Sequence, residues 1–141
     1  MMSTQLRPVV ALVLLAAAVV PGAAAGERMS GGELDRAFTG ITLDGIYFNR
    51  TYFTEVYNED RTIRYWDAAG ADSGRWSIRD GLFCTFYEGQ QGACFLVERD
   101  GDNCFTFFEL DEDDRPLADW TSRGWNRDMP PTCPTPPAAA I

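Results

Sequence analysis

The chain has 141 residues, of which 21 are acidic and 12 basic, so that its formal net charge is −9. Such an acidic chain is a poor partner for nucleic acid or an anionic membrane, because both would repel it. Every basic residue is arginine and there is no histidine, which excludes catalytic triads that use histidine as their base. We expect no cofactor.

The N-terminus predicts export. An unbroken apolar run from Val9 to Val20 follows Arg7 and precedes Pro-Gly-Ala-Ala-Ala-Gly. It is too short to span a bilayer, which takes about 20 apolar residues. Ala23 and Ala25 satisfy the small-x-small rule, so residues 1–25 are predicted to be a signal peptide cleaved after Ala25, with an uncleaved anchor as the alternative. The mature protein is then periplasmic or secreted, with no membrane span after cleavage.

A short helix is predicted at the start of the mature chain. Ser30 and Glu33 form a capping box, in which each side chain satisfies a backbone amide of the other. Apolar residues at helical spacing follow at Leu34, Ala37 and Phe38. We therefore predict a helix from Gly31 to Thr39 that covers one end of a sheet.

From Ile41 onward the apolar pattern has a period of two, which indicates strands. The predicted strands are Ile46–Tyr57 (one bent strand or two), Arg61–Trp66, Gly74–Ile78, Leu82–Tyr87, Ala93–Val97 and Cys104–Leu110, with a loop at Ala68–Ser73. Residues 26–129 are therefore predicted to be a single, mainly β domain. It forms either a small antiparallel β-barrel or a strongly curled meander, with one short N-terminal helix. Beyond the last predicted strand, Leu117, Trp120 and Trp125 could still pack on its core.

Residues 130–141 form a Pro-rich C-terminal tail that contains Cys133. Four cysteines in an exported chain predict two disulfides. Cys84 and Cys94 become direct cross-strand neighbours if the hairpin turn lies near Gly89, which leaves Cys104 to tether Cys133. A Cys94–Cys104 bridge is the alternative that peptide mapping would reveal.

No residue stands out as catalytic, and we expect the protein not to be an enzyme. A metal site would have to use oxygen ligands, as calcium does. The acidic stretches Asp100–Asn103 and Asp111–Asp114 are better interpreted as a hairpin turn and a solvated charge run, so no metal site is predicted. A hydrolase with paired carboxylates is the weakest alternative, because no pair is marked out.

The aromatic residues give the candidate binding site. Rings on neighbouring predicted strands could surround a ligand, or simply fill the core. The ligand-binding candidates are Tyr52, Tyr65, Trp66 and Trp76. We predict a monomeric, non-enzymatic protein of the cell envelope that binds a small apolar ligand or a partner protein.

One resemblance supports export and a β fold. The chain carries the elements Gly74-Arg-Trp76, Asp80-Gly-Leu-Phe-Cys84, Cys94 and Arg99-Asp-Gly-Asp102. In this it resembles a family of small exported proteins of Gram-negative bacteria with a G-x-W … D-G-x-x-C … C … D-G signature. The family has no known function, so the resemblance implies no catalytic residue, and Cys104 and Cys133 lie outside the shared pattern.

A second similarity supplies the alternative function. In size, export and disulfide use the chain is similar to small bacterial barrel inhibitors of secreted metalloproteases, whose N-terminal segment enters the protease cleft. The similarity implies that Gly26 to Gly32 would play that part, which makes an inhibitor of an exported protease the alternative hypothesis.

Overall fold

The structure, a computed structural model, describes residues 26–89 and 92–134. The predicted signal peptide, residues 1–25, and residues 135–141 of the tail lie outside the described residues. The elements are α1 (Gly31–Phe38) and the strands β1 (Glu27–Arg28), β2 (Thr42–Tyr47), β3 (Tyr52–Tyr57), β4 (Thr62–Asp67), β5 (Gly70–Arg79), β6 (Leu82–Tyr87), β7 (Ala93–Arg99), β8 (Phe105–Glu109) and β9 (Ser122–Asn126).

The strands β2 to β9 form a closed, eight-stranded antiparallel barrel. Each pairs with the next along the chain, and β9 pairs with β2 to close the ring. The predicted mainly β fold is therefore confirmed, and of its two forms the structure is the barrel. An eight-stranded barrel has an interior that is either filled by side chains or just wide enough for one small ligand.

Three details differ from the predicted strands. The stretch predicted as Ile46–Tyr57 forms two strands, and the first of them already begins at Thr42. The predicted loop at Ala68–Ser73 is wrong for its last four residues, because β5 begins at Gly70 and pairs with β4 from there. The closing strand β9 was not predicted.

The helix α1 plugs one end of the barrel. The predicted capping box is present, since the Ser30 amide donates to a Glu33 carboxylate oxygen at 2.8 Å and Ser30 Oγ accepts from the Glu33 amide. Phe38 is fully buried, with its ring centroid 4.7 Å from that of Phe83 and 4.9 Å from that of Phe105. An ion pair between Arg61 and the helix residue Asp35 joins the plug to the barrel.

The two-residue strand β1 extends the wall next to the helix. It pairs with Glu98 and Arg99 of β7, beyond the part of β7 that pairs with β6. Met29, the next residue, is buried in the core and its amide donates to the Val97 carbonyl at 2.9 Å. The segment that leads into α1 is therefore part of the barrel.

Both predicted disulfides are confirmed. Cys84 and Cys94 are register partners on β6 and β7, and Cys104 is bonded to Cys133 of the tail. Two disulfides indicate an oxidising environment outside the cytoplasm. Over residues 26–89 and 92–134, no helix is long and apolar enough to cross a membrane.

The core is largely aromatic. It combines α1 residues with the inward-facing side chains of the strands, which alternate with outward-facing ones. The suggestion that Leu117, Trp120 and Trp125 pack on this core is wrong: Leu117 is 43% exposed and none of the three belongs to the core cluster. These residues lie on the outside of the barrel, where Trp120 packs edge-on against Phe48.

Candidate functional site

A cavity of about 210 Å³ lies inside the barrel, in the half away from α1. The core rings of Tyr57 and Phe83, which also contact Phe38 of the helix, form its floor. Its rim includes the exposed Glu109, at the end of β8 that faces away from the helix. The other lining residues are Tyr47, Phe53, Glu55, Thr85, Tyr87, Ala93, Phe95, Phe107, Thr121 and Ser122.

The carboxyl group of Glu55 is the most unusual feature of the cavity. Glu55 is only 7% exposed and sits between Phe53 and Tyr57 on the inward face of β3. It accepts hydrogen bonds from the hydroxyls of Tyr57 and Tyr87. Burial raises the pKa of Glu55 above its usual range, while the two tyrosine hydrogen bonds lower it and offset part of the effect.

The tyrosines around Glu55 are held in their neutral form. Burial, together with the nearby Glu55 carboxyl, raises the pKa of Tyr57 and of Tyr87 well above the usual tyrosine value. Both hydroxyls therefore remain hydrogen-bond donors toward Glu55 at any physiological pH.

A second row of hydrogen bonds lies next to this group and joins β2 to β4. The Tyr47 hydroxyl donates to the Tyr65 hydroxyl at 3.2 Å, and the latter donates to an Asp67 carboxylate oxygen at 2.8 Å. The rings of Tyr65 and Tyr87 meet edge to face, with centroids 5.6 Å apart. This row links the cavity wall to a carboxylate at the barrel end.

The charges of the cavity have one sign. Glu55 and Glu109 are its acidic residues, and no arginine is among the described residues that line it. Aromatic ring faces also carry negative charge density. The interior is therefore an electronegative, mostly aromatic chamber with hydroxyl groups from Thr85 and Ser122.

The structure separates the four predicted ligand-binding residues. Tyr65 and Trp76 point into the barrel, where Tyr65 is 8% and Trp76 1% exposed. Tyr52, which is 67% exposed, and Trp66 lie on the outside and border one depression of about 360 Å³ together with Trp125. None of the four lines the interior cavity, and their role in binding stays a prediction.

Other depressions lie on the outer wall. One of about 190 Å³ is bordered by Tyr52, Trp120, Arg123 and the tethered Cys133. Another of about 650 Å³ is larger than the interior cavity, and its border includes Arg61, Phe86 and the predicted binding residue Trp76. We prefer the interior cavity as the candidate site because it combines enclosing strands with the buried carboxyl group of Glu55.

Sequence reasoning missed Glu55, although the sequence contains a signal for it. In the strand Tyr52-Phe-Thr-Glu-Val-Tyr57, a period of two places Glu55 on the same face as Phe53 and Tyr57. A carboxylate on the apolar face of a strand is unexpected unless it has buried partners, and it is therefore a candidate functional residue.

No metal centre is evident in the part of the chain that the structure describes, since it contains no group of three or more acidic or cysteine side chains arranged to hold an ion. The chain matches no protein-family model and no curated protein. The resemblance to the exported Gram-negative family stays a prediction.

Proposed function

We propose that the protein is a non-enzymatic, monomeric binding protein of the periplasm or the extracellular medium, which holds a small ligand inside its barrel. The single observation that carries this proposal is the cavity of about 210 Å³ with aromatic walls and the buried Glu55. For comparison, an engineered apolar cavity of about 150 Å³ in another protein is large enough to bind benzene.

Binding without catalysis is favoured by the residue types present. The chain has no histidine, and all four cysteines are paired in disulfides. Glu55 accepts hydrogen bonds from the hydroxyls of Tyr57 and Tyr87, which hold its carboxyl group in one orientation inside the barrel.

Intrinsic fluorescence tests the proposal. Trp76 stacks on Phe83 with ring centroids 5.8 Å apart, and Phe83 lines the cavity. A ligand that enters the cavity should therefore change the Trp76 emission. We expect a saturable change with at least one class in a panel of small aromatic and aliphatic compounds, and native mass spectrometry of the same mixtures should show one bound molecule.

A matched pair of variants separates the cavity from the outer wall. Ala93 lines the cavity, so Ala93→Leu should fill it and abolish binding. Ala71 is exposed on the outside of β5, opposite Trp66, and Ala71→Leu should leave binding unchanged. Equal binding by both folded variants, or no saturable response to any compound, would contradict an interior site.

A partner protein is the second candidate, and the outer aromatic residues favour it. Phe48 and Tyr52 are 58% and 67% exposed, and Trp120 lies beside them with Arg123 over its ring at 4.7 Å. Capture of one envelope protein by the wild type, but not by a Tyr52→Ser/Trp120→Ser variant, would support this function. Capture of the same protein by both the wild type and the variant would show that the partner binds to another part of the surface.

The protease-inhibitor alternative stays a prediction. One feature of the structure argues against residues 26–32 as the segment that contacts the protease. Glu27 and Arg28 pair with β7 and Met29 is buried, so residues 26–32 do not form a free arm that could enter a cleft. Assays of co-secreted proteases with and without the mature protein test it, and unchanged protease activity would eliminate it.

A further inference from the structure

We propose that the ligand of the interior cavity is a small organic cation, whose protonated nitrogen lies against Glu55 and whose apolar body packs between the aromatic rings. This ligand class rests on the proposed function, because it concerns the same cavity. The experiments below are chosen so that the two can fail separately.

Glu55 has no positively charged partner among the residues that the structure describes. Its two hydrogen-bond donors, Tyr57 and Tyr87, are neutral hydroxyls, and the described residues that line the cavity include no arginine. An ionised carboxylate in a buried position is costly unless a positive charge pairs with it. A ligand ammonium group supplies the charge that the barrel does not.

The carboxylate also has room for such a group. An ionised carboxylate offers about four acceptor positions on its two oxygens. The hydroxyls of Tyr57 and Tyr87 use one position on each oxygen, since one bonds Oε2 and the other Oε1. The remaining positions are available to the N–H groups of a ligand in the cavity that Glu55 lines.

The walls suit the same class of ligand. Rings of Tyr47, Phe53, Phe95 and Phe107 surround the space next to Glu55. Ring faces attract cations, and the attraction is strongest where water is excluded. The same rings offer apolar contact to the ligand body, so both parts of an amphipathic cation are satisfied.

The rival ligand classes fit less well. A small anion would be repelled by Glu55 and by Glu109 at the rim. A purely apolar molecule would offer no hydrogen-bond partner to Glu55, Thr85 and Ser122, which line the cavity. The cavity is therefore better matched to a cation than to a neutral or anionic molecule of the same size.

Three probes of one shape test the charge directly. Benzylamine, which is protonated at neutral pH, is compared with benzyl alcohol and with benzoate by calorimetric titration of the folded, disulfide-bonded protein. We expect benzylamine to bind at least about 10-fold more tightly than benzyl alcohol, because a charge-assisted hydrogen bond replaces a neutral one. Benzoate should bind more weakly than either.

A pair of glutamate variants assigns the effect to Glu55. Glu55→Gln keeps the shape and removes the charge, and should lower the affinity for benzylamine at least about 10-fold while changing that for benzyl alcohol by less than about 3-fold. Glu59, exposed in the turn between β3 and β4, is the matched control. Glu59→Gln should leave both affinities as in the wild type.

The pH dependence of the wild type provides a measurement that needs no variant. Besides Tyr57 and Tyr87, the titratable groups that face the cavity with Glu55 are Tyr47 on β2 and Glu109 on β8. Burial raises the pKa of Tyr47, which therefore stays neutral. Affinity for benzylamine should fall as the pH drops through the raised pKa of Glu55, and that for benzyl alcohol should stay nearly constant.

The outcomes separate the two proposals. If benzyl alcohol binds as tightly as benzylamine, the cation proposal is overturned while the interior site stands. Equal effects of Glu55→Gln and Glu59→Gln would also overturn the cation proposal, and the Ala93→Leu and Ala71→Leu variants then decide on the interior site. If neither these probes nor the broader panel binds, the interior site and its cationic ligand are both excluded.

Discussion

The ring of Phe53 occupies the space above Gly45, its register partner across β2 and β3. A Cβ atom built on Gly45 would lie 2.3 Å from the Phe53 ring carbon Cζ, closer than any real contact. Phe53 is held there by Tyr47, with ring centroids 4.5 Å apart, and both rings line the cavity. Because Gly45 has no side chain, the Phe53 ring can take this position in the cavity wall.

We expect Gly45→Ala to lower both stability and ligand binding. The added methyl group must push the Phe53 ring toward the cavity, and overpacking of this kind costs about 1–3 kcal/mol. Urea unfolding and the benzylamine titration measure the two effects. Gly32→Ala is the control: its new methyl group would meet only the flexible Arg36 side chain, and in a helix the change should stabilise by roughly 0.5–1 kcal/mol. A Gly45→Ala protein as stable as the wild type would show that the Phe53 ring can move without a loss of stability.

Glu55→Gln should change how stability depends on pH. The folded-state pKa of Glu55 is raised by burial, so the folded protein holds this proton more tightly than the unfolded chain. The contribution of Glu55 to the free energy of unfolding is therefore fully present below the usual glutamate pKa, and it is lost as the pH rises through the raised pKa. The free energy of unfolding of Glu55→Gln, minus that of the wild type, should rise over this interval by at most about 1.4 kcal/mol per pH unit.

The difference between the two proteins is the quantity to measure. Hydrogen bonds to Arg127 and Tyr65 lower the pKa values of Asp44 and Asp67, respectively. These two groups make stability rise with pH, in the opposite direction to Glu55. Because they are present in both proteins, their effects cancel in the difference. Urea unfolding at several pH values provides the data, and Glu59→Gln controls for the loss of one negative charge. A difference that stays constant with pH would show that Glu55 holds its proton equally in the folded and unfolded states.

The strands that the sequence predicted are those whose apolar residues face the core. In β4, Ile63 and Tyr65 point inward and Arg64 outward, as a period of two requires. The closing strand β9 inverts this pattern: Ser122 and Gly124 face inward and Trp125 outward. A Cβ atom at Gly124 would lie 2.5 Å from a methyl carbon of Leu43, so the interior has no room for a large residue there. Hydrophobicity could not reveal a strand whose inner face must be small.

The candidate site was harder to predict than the fold. Aromatic residues on neighbouring strands were correctly seen as abundant, but their number does not tell which ring faces inward. The β2–β3 turn at residues 48–51 places Phe53 inside and Tyr52 outside, and its position could not be fixed when residues 46–57 were predicted as one strand or two. The period of two places Glu55 on the same face as Phe53 and Tyr57, but without that register the sequence did not show which face of the strand is the inner one.

Asn103 is expected to be as important as a disulfide for the C-terminal segment. This 1% exposed side chain donates to the carbonyls of Asn126, Met129 and Pro130 at 3.0 to 3.2 Å, and accepts from the Asn126 amide at 2.8 Å. Asn103→Ala should cost about 3 kcal/mol, because it removes all four of these hydrogen bonds, two of which hold the half-buried Asn126. The exposed neighbour Asp102 is the control, and Asp102→Ala should be nearly neutral.

Asn103→Asp distinguishes hydrogen bonding from packing at the same position. An aspartate keeps the shape but places a carboxylate against three carbonyl oxygens, so it should be less stable than Asn103→Ala at neutral pH. Protonation of the new aspartate supplies one hydrogen-bond donor again. Acidification should therefore reduce the difference in stability between Asn103→Asp and Asn103→Ala. Melting temperatures at neutral and acidic pH measure this, and a gap independent of pH would assign the role of Asn103 to packing.

Removal of each disulfide should show how much the Cys104–Cys133 bond, which holds the C-terminal tail, contributes to stability. The Cys104–Cys133 bond spans 29 residues and the Cys84–Cys94 bond spans 10, so the first restricts the unfolded chain more. Loop-closure entropy predicts a loss of about 3 kcal/mol for Cys84→Ala/Cys94→Ala and about 1 kcal/mol more for Cys104→Ala/Cys133→Ala. Cys84 and Cys104 are both fully buried, so the two double variants lose comparable packing. Urea unfolding compares them under identical conditions. A larger loss for the Cys84–Cys94 pair would mean that its place in the β6–β7 ladder, rather than loop length, determines its contribution.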